Sequence, residues 1–167
     1  GLAGWLCKKF DVKLWMSRGE WLTAKMLLAG MREQVAPEVI AERQFAGWSE
    51  QEIAETGEPG YSKFAKVMFP LPLSFRRLVD NEIVPMGPHT WRVVTGSGHS
   101  PEHVCLLNEK EGVLVSGDQV LPKISSNVSI NTSEPDANPL SEWLASIDKL
   151  LLLPADLIVC PAHGEPF

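Results

Sequence analysis

The second half of the chain constrains the fold most strongly, because it contains a series of short apolar segments bounded by Gly, Pro or Asn. These segments cover residues 82–84, 90–94, 103–107, 113–115 and 157–160. Their length and boundaries are typical of β-strands. An amphipathic helix with Asn138 as its cap separates the last two segments. Strands combined with such a helix predict an α/β fold.

The first half is more irregular and reads as mainly helical. Leu2 to Phe10 and the segment after Ser17 have apolar residues three and four apart, as helices do. Residues 37–78 contain several prolines between helix-like pieces, so this segment is too broken to form a core of its own. We therefore expect one domain over residues 1–167, with 37–78 as a helical insertion.

Composition excludes several classes of partner. The 167 residues include 15 Lys and Arg against 21 Asp and Glu, giving a net charge of −6. Such a chain has no basic footprint for a nucleic acid. No run of apolar residues is long enough to cross a membrane, so we expect no membrane partner either.

The three cysteines are widely spaced, which favours free thiols and a cytoplasmic location.

Three side chains that can bind metal ions directly follow predicted strands. They are His99, Asp118 and His163, and each is introduced by Gly or Pro. If the strands are neighbours, these side chains converge at one edge of the sheet. Two imidazoles and a carboxylate suit zinc, iron or manganese. Taken singly, each residue is more often a surface or turn residue, so the prediction depends on the three together.

The motifs around these residues occur in a characteristic order. They are Thr95-Gly96-Ser97-Gly98-His99-Ser100-Pro101-Glu102-His103, Val115-Ser116-Gly117-Asp118 and Pro161-Ala162-His163-Gly164. In this order they resemble the metallo-β-lactamase-fold hydrolases. Each motif alone is weak evidence for this resemblance, whereas the three motifs in this order are strong evidence for it. The resemblance implies an αββα sandwich, of which this chain represents mainly the C-terminal half plus the helical insertion.

The same resemblance implies a binuclear metal site. His99 would bind the first ion, His163 would bind the second, and Asp118 would bridge both and serve catalysis. The implied cofactors are two divalent metal ions, with zinc as the first expectation and iron or manganese as alternatives. His103 matches a position that does not bind metal, and we expect it to hold a loop by hydrogen bonding. His89 matches no position of the family's motifs.

One hallmark of the family, H-x-H-x-D-H, is absent from this sequence. That motif supplies further ligands to both metals and is commonly followed by a Gly-containing helix, which Gly1-Leu2-Ala3-Gly4-Trp5-Leu6 resembles. We therefore expect that the chain begins just after the motif, and that its metal site is incomplete. This expectation predicts that the chain alone is inactive, although the whole protein is a hydrolase.

The resemblance implies that a metal-bound hydroxide attacks a thioester, lactone or other ester of a small-molecule substrate. The Ser100-Pro101-Glu102-His103 loop is closer to glyoxalase II-like relatives than to true β-lactamases. Hydrolysis of β-lactams is one alternative, and a metal-free binding or interaction module of the same fold is another.

Two further features stay open at this stage. Lys123, five residues beyond Asp118, either binds an anionic group of the substrate or is simply a solvated lysine. The apolar segment Met68-Phe69-Pro70-Leu71-Pro72 is either a lid, a packing insert or a homodimer contact.

Overall fold

The computed structural model describes residues 1–29, 37–55, 68–131 and 133–167. They divide into two units. The first unit comprises Gly1–Leu14, Trp21–Phe75 and Ile130–Ala137, and the second comprises Trp15–Glu20, Arg76–Ser129 and Asn138–Phe167. Within the predicted helical insertion, positions 56–67 lie outside the described residues.

Four helices among the described residues precede the second unit's sheet along the chain. They are α1 (Ala3–Phe10), α2 (Arg18–Ala29), α3 (Pro37–Phe45) and α4 (Glu50–Glu55). Helix α1 is capped at Asp11, whose left-handed backbone (φ 50°) lets the N–H of the next residue, Val12, reach the Cys7 carbonyl at 3.1 Å. Helix α4 begins with a closed capping box, in which the Ser49 hydroxyl and the Glu52 carboxylate each accept a hydrogen bond from the other residue's N–H.

Close backbone packing holds the first unit together. A side chain on Gly4 would place its Cβ only 2.0 Å from the Pro70 carbonyl oxygen, so α1 can approach the 68–72 segment only with glycine there. The Trp21 and Phe75 rings stack with their centroids 4.8 Å apart. The apolar segment at 68–72 therefore packs against α1 of its own chain.

The second unit is built on a five-stranded sheet. Its strands, in spatial order, are β3 (Ile83–Met86), β4 (His89–Gly96), β5 (His103–Asn108), β6 (Val113–Gly117) and β7 (Ile158–Pro161). Strands β3 to β6 form an antiparallel meander, and β7 pairs parallel to β6. A separate parallel pair is formed by β1 (Trp15–Met16) and β2 (Arg76–Arg77).

Helix α5 (Pro139–Leu150) is the crossover between the parallel strands β6 and β7. It begins where the sequence predicts, since the Asn138 side chain accepts a hydrogen bond from the Ser141 N–H at 3.1 Å. A parallel strand pair requires such a crossover connection.

Apolar residues cover both faces of the sheet because side chains alternate along each strand. One face carries Val94, Cys105, Leu107 and Leu114, which pack against Leu150 and Val159 among others. The opposite face carries Val84 and Val93 together with Leu78. The adjacent residues Val93 and Val94 thus pack into different hydrophobic clusters. The central strands therefore have packed apolar side chains on both faces.

The strand directions bring the three predicted metal-binding residues to one edge. Strand β4 is antiparallel to β5, which is antiparallel to β6, so β4, β6 and β7 run in the same direction. His99, Asp118 and His163 follow the ends of these three strands. Strands β4 and β6 are not neighbours, because β5 lies between them and begins at this same edge with His103.

Candidate metal centre

Asp118 lies between the two other predicted metal-binding residues. Its Oδ2 atom is 3.8 Å from His99 Nε2, and its Oδ1 atom is 3.4 Å from His163 Nε2. Each carboxylate oxygen therefore faces a different imidazole. All three residues belong to the second unit, and the Asp118 side chain is one-third exposed.

These distances fit two ions bridged by one carboxylate. Ligand atoms bound at about 2.0–2.2 Å to one tetrahedral zinc lie about 3.3–3.6 Å from each other. The His163–Asp118 separation is within this range and the His99–Asp118 separation is slightly wider. The donor set, two imidazole nitrogens and a carboxylate, suits zinc, iron or manganese. The residues present therefore suit the two metal ions that the motifs imply.

The tautomer of His99 is set by the loop after β6. The Asn127 carbonyl oxygen lies 2.9 Å from His99 Nδ1. Since a carbonyl can only accept, Nδ1 carries a proton, and in the neutral imidazole the lone pair is therefore on Nε2, the nitrogen that faces Asp118. This is the arrangement that a metal-binding histidine needs, with its second nitrogen held by a backbone carbonyl.

His103 supports Asp118 and is not itself in a position to bind an ion with Asp118. Its Nε2 accepts a hydrogen bond from the Asp118 N–H at 3.1 Å. Its ring lies against Gly117, where an added Cβ would be 2.5 Å from the ring, and Gly117 has a φ of +55°. Burial lowers the pKa of His103, an effect that the nearby Glu20 carboxylate opposes. His103 therefore holds a loop by hydrogen bonding, as the sequence predicts.

His163 is placed by the continuation of β7. The Ala162 N–H donates to the Gly117 carbonyl at 2.9 Å, which brings the next residue beside Asp118. Gly164 follows with a φ of +88°, and its Cα approaches the Pro122 ring so closely that a Cβ would lie 2.8 Å from it. The loops after β6 and β7 are thus fixed to each other, although His163 itself is 69% exposed.

Contacts on two sides hold the loop that carries His99 in place. Gly98 (φ +95°) packs against the start of α5, where an added Cβ would lie 2.4 Å from the Pro139 carbonyl oxygen. On the other side, the fully buried Gln119 side chain donates to the Ser97 carbonyl at 3.2 Å. Backbone contacts of this kind leave the loop little freedom to move His99.

No three His, Cys, Asp or Glu side chains within residues 1–29, 37–55, 68–131 and 133–167 lie close enough together to hold one ion. Each potential ion at Asp118 would therefore receive two protein ligands from this part of the chain, one carboxylate oxygen and one imidazole nitrogen. Closed protein sites for zinc usually have four ligands, and catalytic ones usually have three.

Comparison with known proteins decides the family. The sequence profile described as Metallo-beta-lactamase superfamily matches residues 1–163, nearly the whole chain. The chain belongs to the metallo-β-lactamase superfamily. A comparison with solved structures confirms the fold prediction, since a beta-lactamase domain protein from Burkholderia ambifaria, known from its crystal structure, superposes with a TM-score of 0.80 at 41% identity.

These relatives are longer than the chain. It is covered completely by the Burkholderia ambifaria structure but spans only 47% of that protein. The Bacillus subtilis protein named Probable metallo-hydrolase YqjP is 34% identical over 83 residues, which is 48% of this chain and 26% of that protein. The Aspergillus terreus protein named Atrochrysone carboxyl ACP thioesterase is 29% identical over 87 residues, which is 52% of this chain and 24% of that protein. The chain thus spans about half the length of the structure it matches, and about a quarter of the sequences.

The structure of this metallo-β-lactamase superfamily chain also separates the remaining candidates from the site. His89 lies at the far end of β4, with its Nδ1 atom 3.7 Å from Glu111. Cys105 is buried in the sheet, and burial raises the pKa of its thiol to about 12, so it is neither a thiolate ligand nor a nucleophile. Lys123 lies exposed on the loop after β6, and its role toward an anionic group stays a prediction.

A supporting residue that the sequence pattern assigned elsewhere is Glu102. A capping box between Ser17 and Glu20 forms only in part, because Ser17 Oγ accepts from the Glu20 N–H at 3.4 Å while the Glu20 carboxylate accepts from the Glu102 N–H. Glu102 instead caps α2, accepting from the Gly19 N–H at 2.7 Å. No local pattern could reveal a cap 83 positions away.

No helix among the residues described combines the length and the apolar character needed to cross a membrane.

Proposed function

We propose that the protein to which this chain belongs is a metal-dependent hydrolase, and that His99, Asp118 and His163 form part of its binuclear site. The observation that carries this proposal is the position of Asp118, whose two carboxylate oxygens face two different imidazole nitrogens. A relative from Bacillus subtilis is named a probable metallo-hydrolase, which supports the same class of activity.

Two divalent ions at such a site would supply a hydroxide at neutral pH and polarise the oxygen of a substrate carbonyl. The chain's own residues keep the site in shape for this chemistry. Asp118 contributes negative charge between the two histidines, and the Asn127 carbonyl holds His99 at Nδ1, which leaves Nε2 as the nitrogen available to an ion. His103 fixes the Asp118 backbone without competing for an ion. We propose zinc as the metal, with iron and manganese as alternatives that the same donors accept.

A thioester, or another activated ester such as a lactone, is the substrate class we propose. The similarity to a fungal protein named a thioesterase supports this class. Hydrolysis of these bonds needs water activation and a carbonyl clamp but no strong leaving-group acid, which matches a site that presents two histidines and one carboxylate. We propose that Lys123, which is exposed on the loop after Asp118, binds an anionic part of the substrate, such as a carboxylate or phosphate.

The 167-residue chain alone is expected to be inactive. Each ion would have only two protein ligands from its described residues, so binding should be weak and no hydroxide would be held in place. Assay of the chain and of the whole protein, side by side with the same zinc concentration, tests this difference. Equal turnover by the two would show that the chain carries a complete site.

The main experiment measures hydrolysis by the whole protein loaded with zinc, iron or manganese. The substrates are an acyl thioester, a lactone, a β-lactam and a phosphodiester. We expect turnover of the thioester or the lactone, and a loss of at least about 100-fold in kcat/KM for Asp118→Asn, His99→Ala and His163→Ala. His89→Ala is the matched control, since it removes an exposed imidazole distant from Asp118 and should change nothing.

The outcomes separate the alternatives. Turnover of the β-lactam alone would favour a β-lactamase over a thioesterase. No turnover of any substrate, together with no metal retained after gentle purification, would favour a metal-free binding module and overturn the proposal.

A further inference from the structure

A cavity of about 470 Å³ lies beside the candidate metal centre, between the loop after β6 and the start of α5. It is within the size range of small-molecule binding pockets. Its walls are formed by six residues: Ser125, Ser126, Asn127, Val128, Leu140 and Trp143. The candidate metal centre does not use the cavity itself, although it uses the backbone of the same loop.

Two wall residues of the cavity also hold metal-site residues. The Asn127 carbonyl fixes His99, and the Ser126 hydroxyl donates to the Asp118 carbonyl oxygen. Trp143, on the opposite wall, donates its indole N–H to the Gln119 carbonyl at 3.3 Å. The cavity wall and the metal centre are therefore parts of one hydrogen-bonded structure, and a molecule in the cavity would lie next to the residues that surround Asp118.

The chemistry of the walls favours an uncharged ligand. None of the six wall residues carries a charge, so a carboxylate or ammonium placed there would exchange hydration for a wall that offers no opposite charge. Val128, Leu140 and Trp143 offer apolar contact, whereas the two serines and Asn127 offer hydrogen bonding. A chain of several methylene groups ending in a neutral polar group matches this combination.

We propose that this cavity binds the uncharged acyl portion of the substrate, a medium-length aliphatic chain with a neutral polar group. Its role as a substrate subsite rests on the proposed hydrolase function, whereas its capacity to bind a neutral acyl group does not. An anionic part of the substrate would lie outside the cavity, where Lys123 is exposed.

The test measures binding to the metal-free whole protein, so that it is independent of catalysis. Octanamide and octanoate are the probes, since they share one aliphatic chain and differ in charge. Binding is followed by the NMR signal of the Trp143 indole N–H, assigned by its loss in Trp143→Phe. We expect octanamide to shift this signal saturably and to bind at least about tenfold more tightly than octanoate.

Leu140 and Leu144 provide a matched pair of variants. Both lie on α5, with 55% and 51% exposure, but only Leu140 lines the cavity. Leu140→Ala should weaken octanamide binding about threefold to fivefold by removing apolar contact. Leu144→Ala removes the same atoms one helical turn away and should leave the affinity unchanged.

Three results would overturn the proposal: no saturable shift with octanamide, equal affinity for octanamide and octanoate, or equal effects of the two leucine variants. If octanamide binds as expected but the whole protein hydrolyses no ester, the proposed function fails while the binding cavity stands. If hydrolysis occurs and Leu140→Ala raises KM for an octanoyl thioester but not for an acetyl thioester, both proposals are supported.

Discussion

At the scale of single residues, the site depends on side chains that would never touch a metal ion. His103 is the main example, because it accepts the Asp118 N–H and packs on Gly117, which only a glycine allows at that contact. Such supporting residues fix the ligand atoms before an ion arrives, which reduces the ordering required on binding. The motif order predicted both the position of His103 and its supporting role.

Replacing His103 by Phe keeps the ring but removes the acceptor of the Asp118 N–H. We expect the free energy of unfolding of the whole protein to fall by about 1–3 kcal/mol, because a partly buried N–H loses its partner. Zinc affinity should fall about 10–100-fold. Urea unfolding and zinc titration calorimetry measure the two effects. His89→Phe, at an exposed imidazole, is the control, and an effect as large in that variant would show that the loss is not specific to the loop.

Asp80 provides a pH-dependent contribution to stability. Burial raises the pKa of its carboxyl, but hydrogen bonds from Lys149 Nζ (2.6 Å) and the Thr95 N–H (2.8 Å), with the charge of Lys149, outweigh burial and leave that pKa below its ordinary value of 3.8. Since the pKa is lower in the folded state, the unfolded chain binds more protons below about pH 4, and stability falls as the pH falls through that range.

We therefore expect Asp80→Asn to cost about 1 kcal/mol of unfolding free energy at pH 6, where the carboxylate is fully ionised in both states. The difference from the unmodified protein should shrink as the pH falls below 3.8 toward the lower folded-state pKa. Urea unfolding at several pH values measures this. A difference that stays constant down to pH 2.5 would contradict the assignment of Asp80 as the titrating group.

At the scale of elements, the sequence pattern predicted the features that depend on residues close together in the chain. The strands of the meander and the Asn138 cap of α5 occur near their predicted positions. The contacts that the sequence could not predict join distant positions. Glu102 caps α2, and the Asn127 carbonyl sets the tautomer of His99, because tertiary proximity rather than sequence spacing creates these hydrogen bonds.

The packing of α5 against the 96–98 loop is tested by a pair of glycine substitutions. Gly98→Ala combines a left-handed backbone (φ +95°) with a clash against the backbone of α5, whereas Gly112 (φ +64°) has open space around it. Gly112→Ala should cost about 1 kcal/mol of unfolding free energy, the price of the backbone conformation alone. Gly98→Ala should cost at least about twice as much, because α5 must also move.

Thermal or urea unfolding of the two glycine variants gives the comparison directly. Zinc affinity provides a second readout, since displacement of the 96–98 loop also displaces His99, and only Gly98→Ala should weaken it. Equal losses of stability in the two variants would show that the loop is not held against α5.

At the scale of the whole molecule, the family could be predicted from three short motifs in order. The convergence of these motifs at one edge of the sheet could not be derived from the residues alone. The sequence has no rule for which strands pair, and the predicted convergence is conditional on the three strands being neighbours. In the sheet β6 and β7 are neighbours, whereas β5 separates β4 from β6. The convergence holds because the meander returns β6 to the direction of β4, and the α5 crossover adds β7 parallel to it.

The central claim is that Asp118 bridges two metal ions, one shared with His99 and the other with His163. Anomalous diffraction at the zinc absorption edge, from crystals of the whole protein grown with zinc, tests it most directly. We expect two anomalous peaks, each about 2.0–2.2 Å from one Asp118 carboxylate oxygen, with a histidine Nε2 at a similar distance from each. Zinc bound elsewhere, with no peak within bonding distance of Asp118, would contradict it.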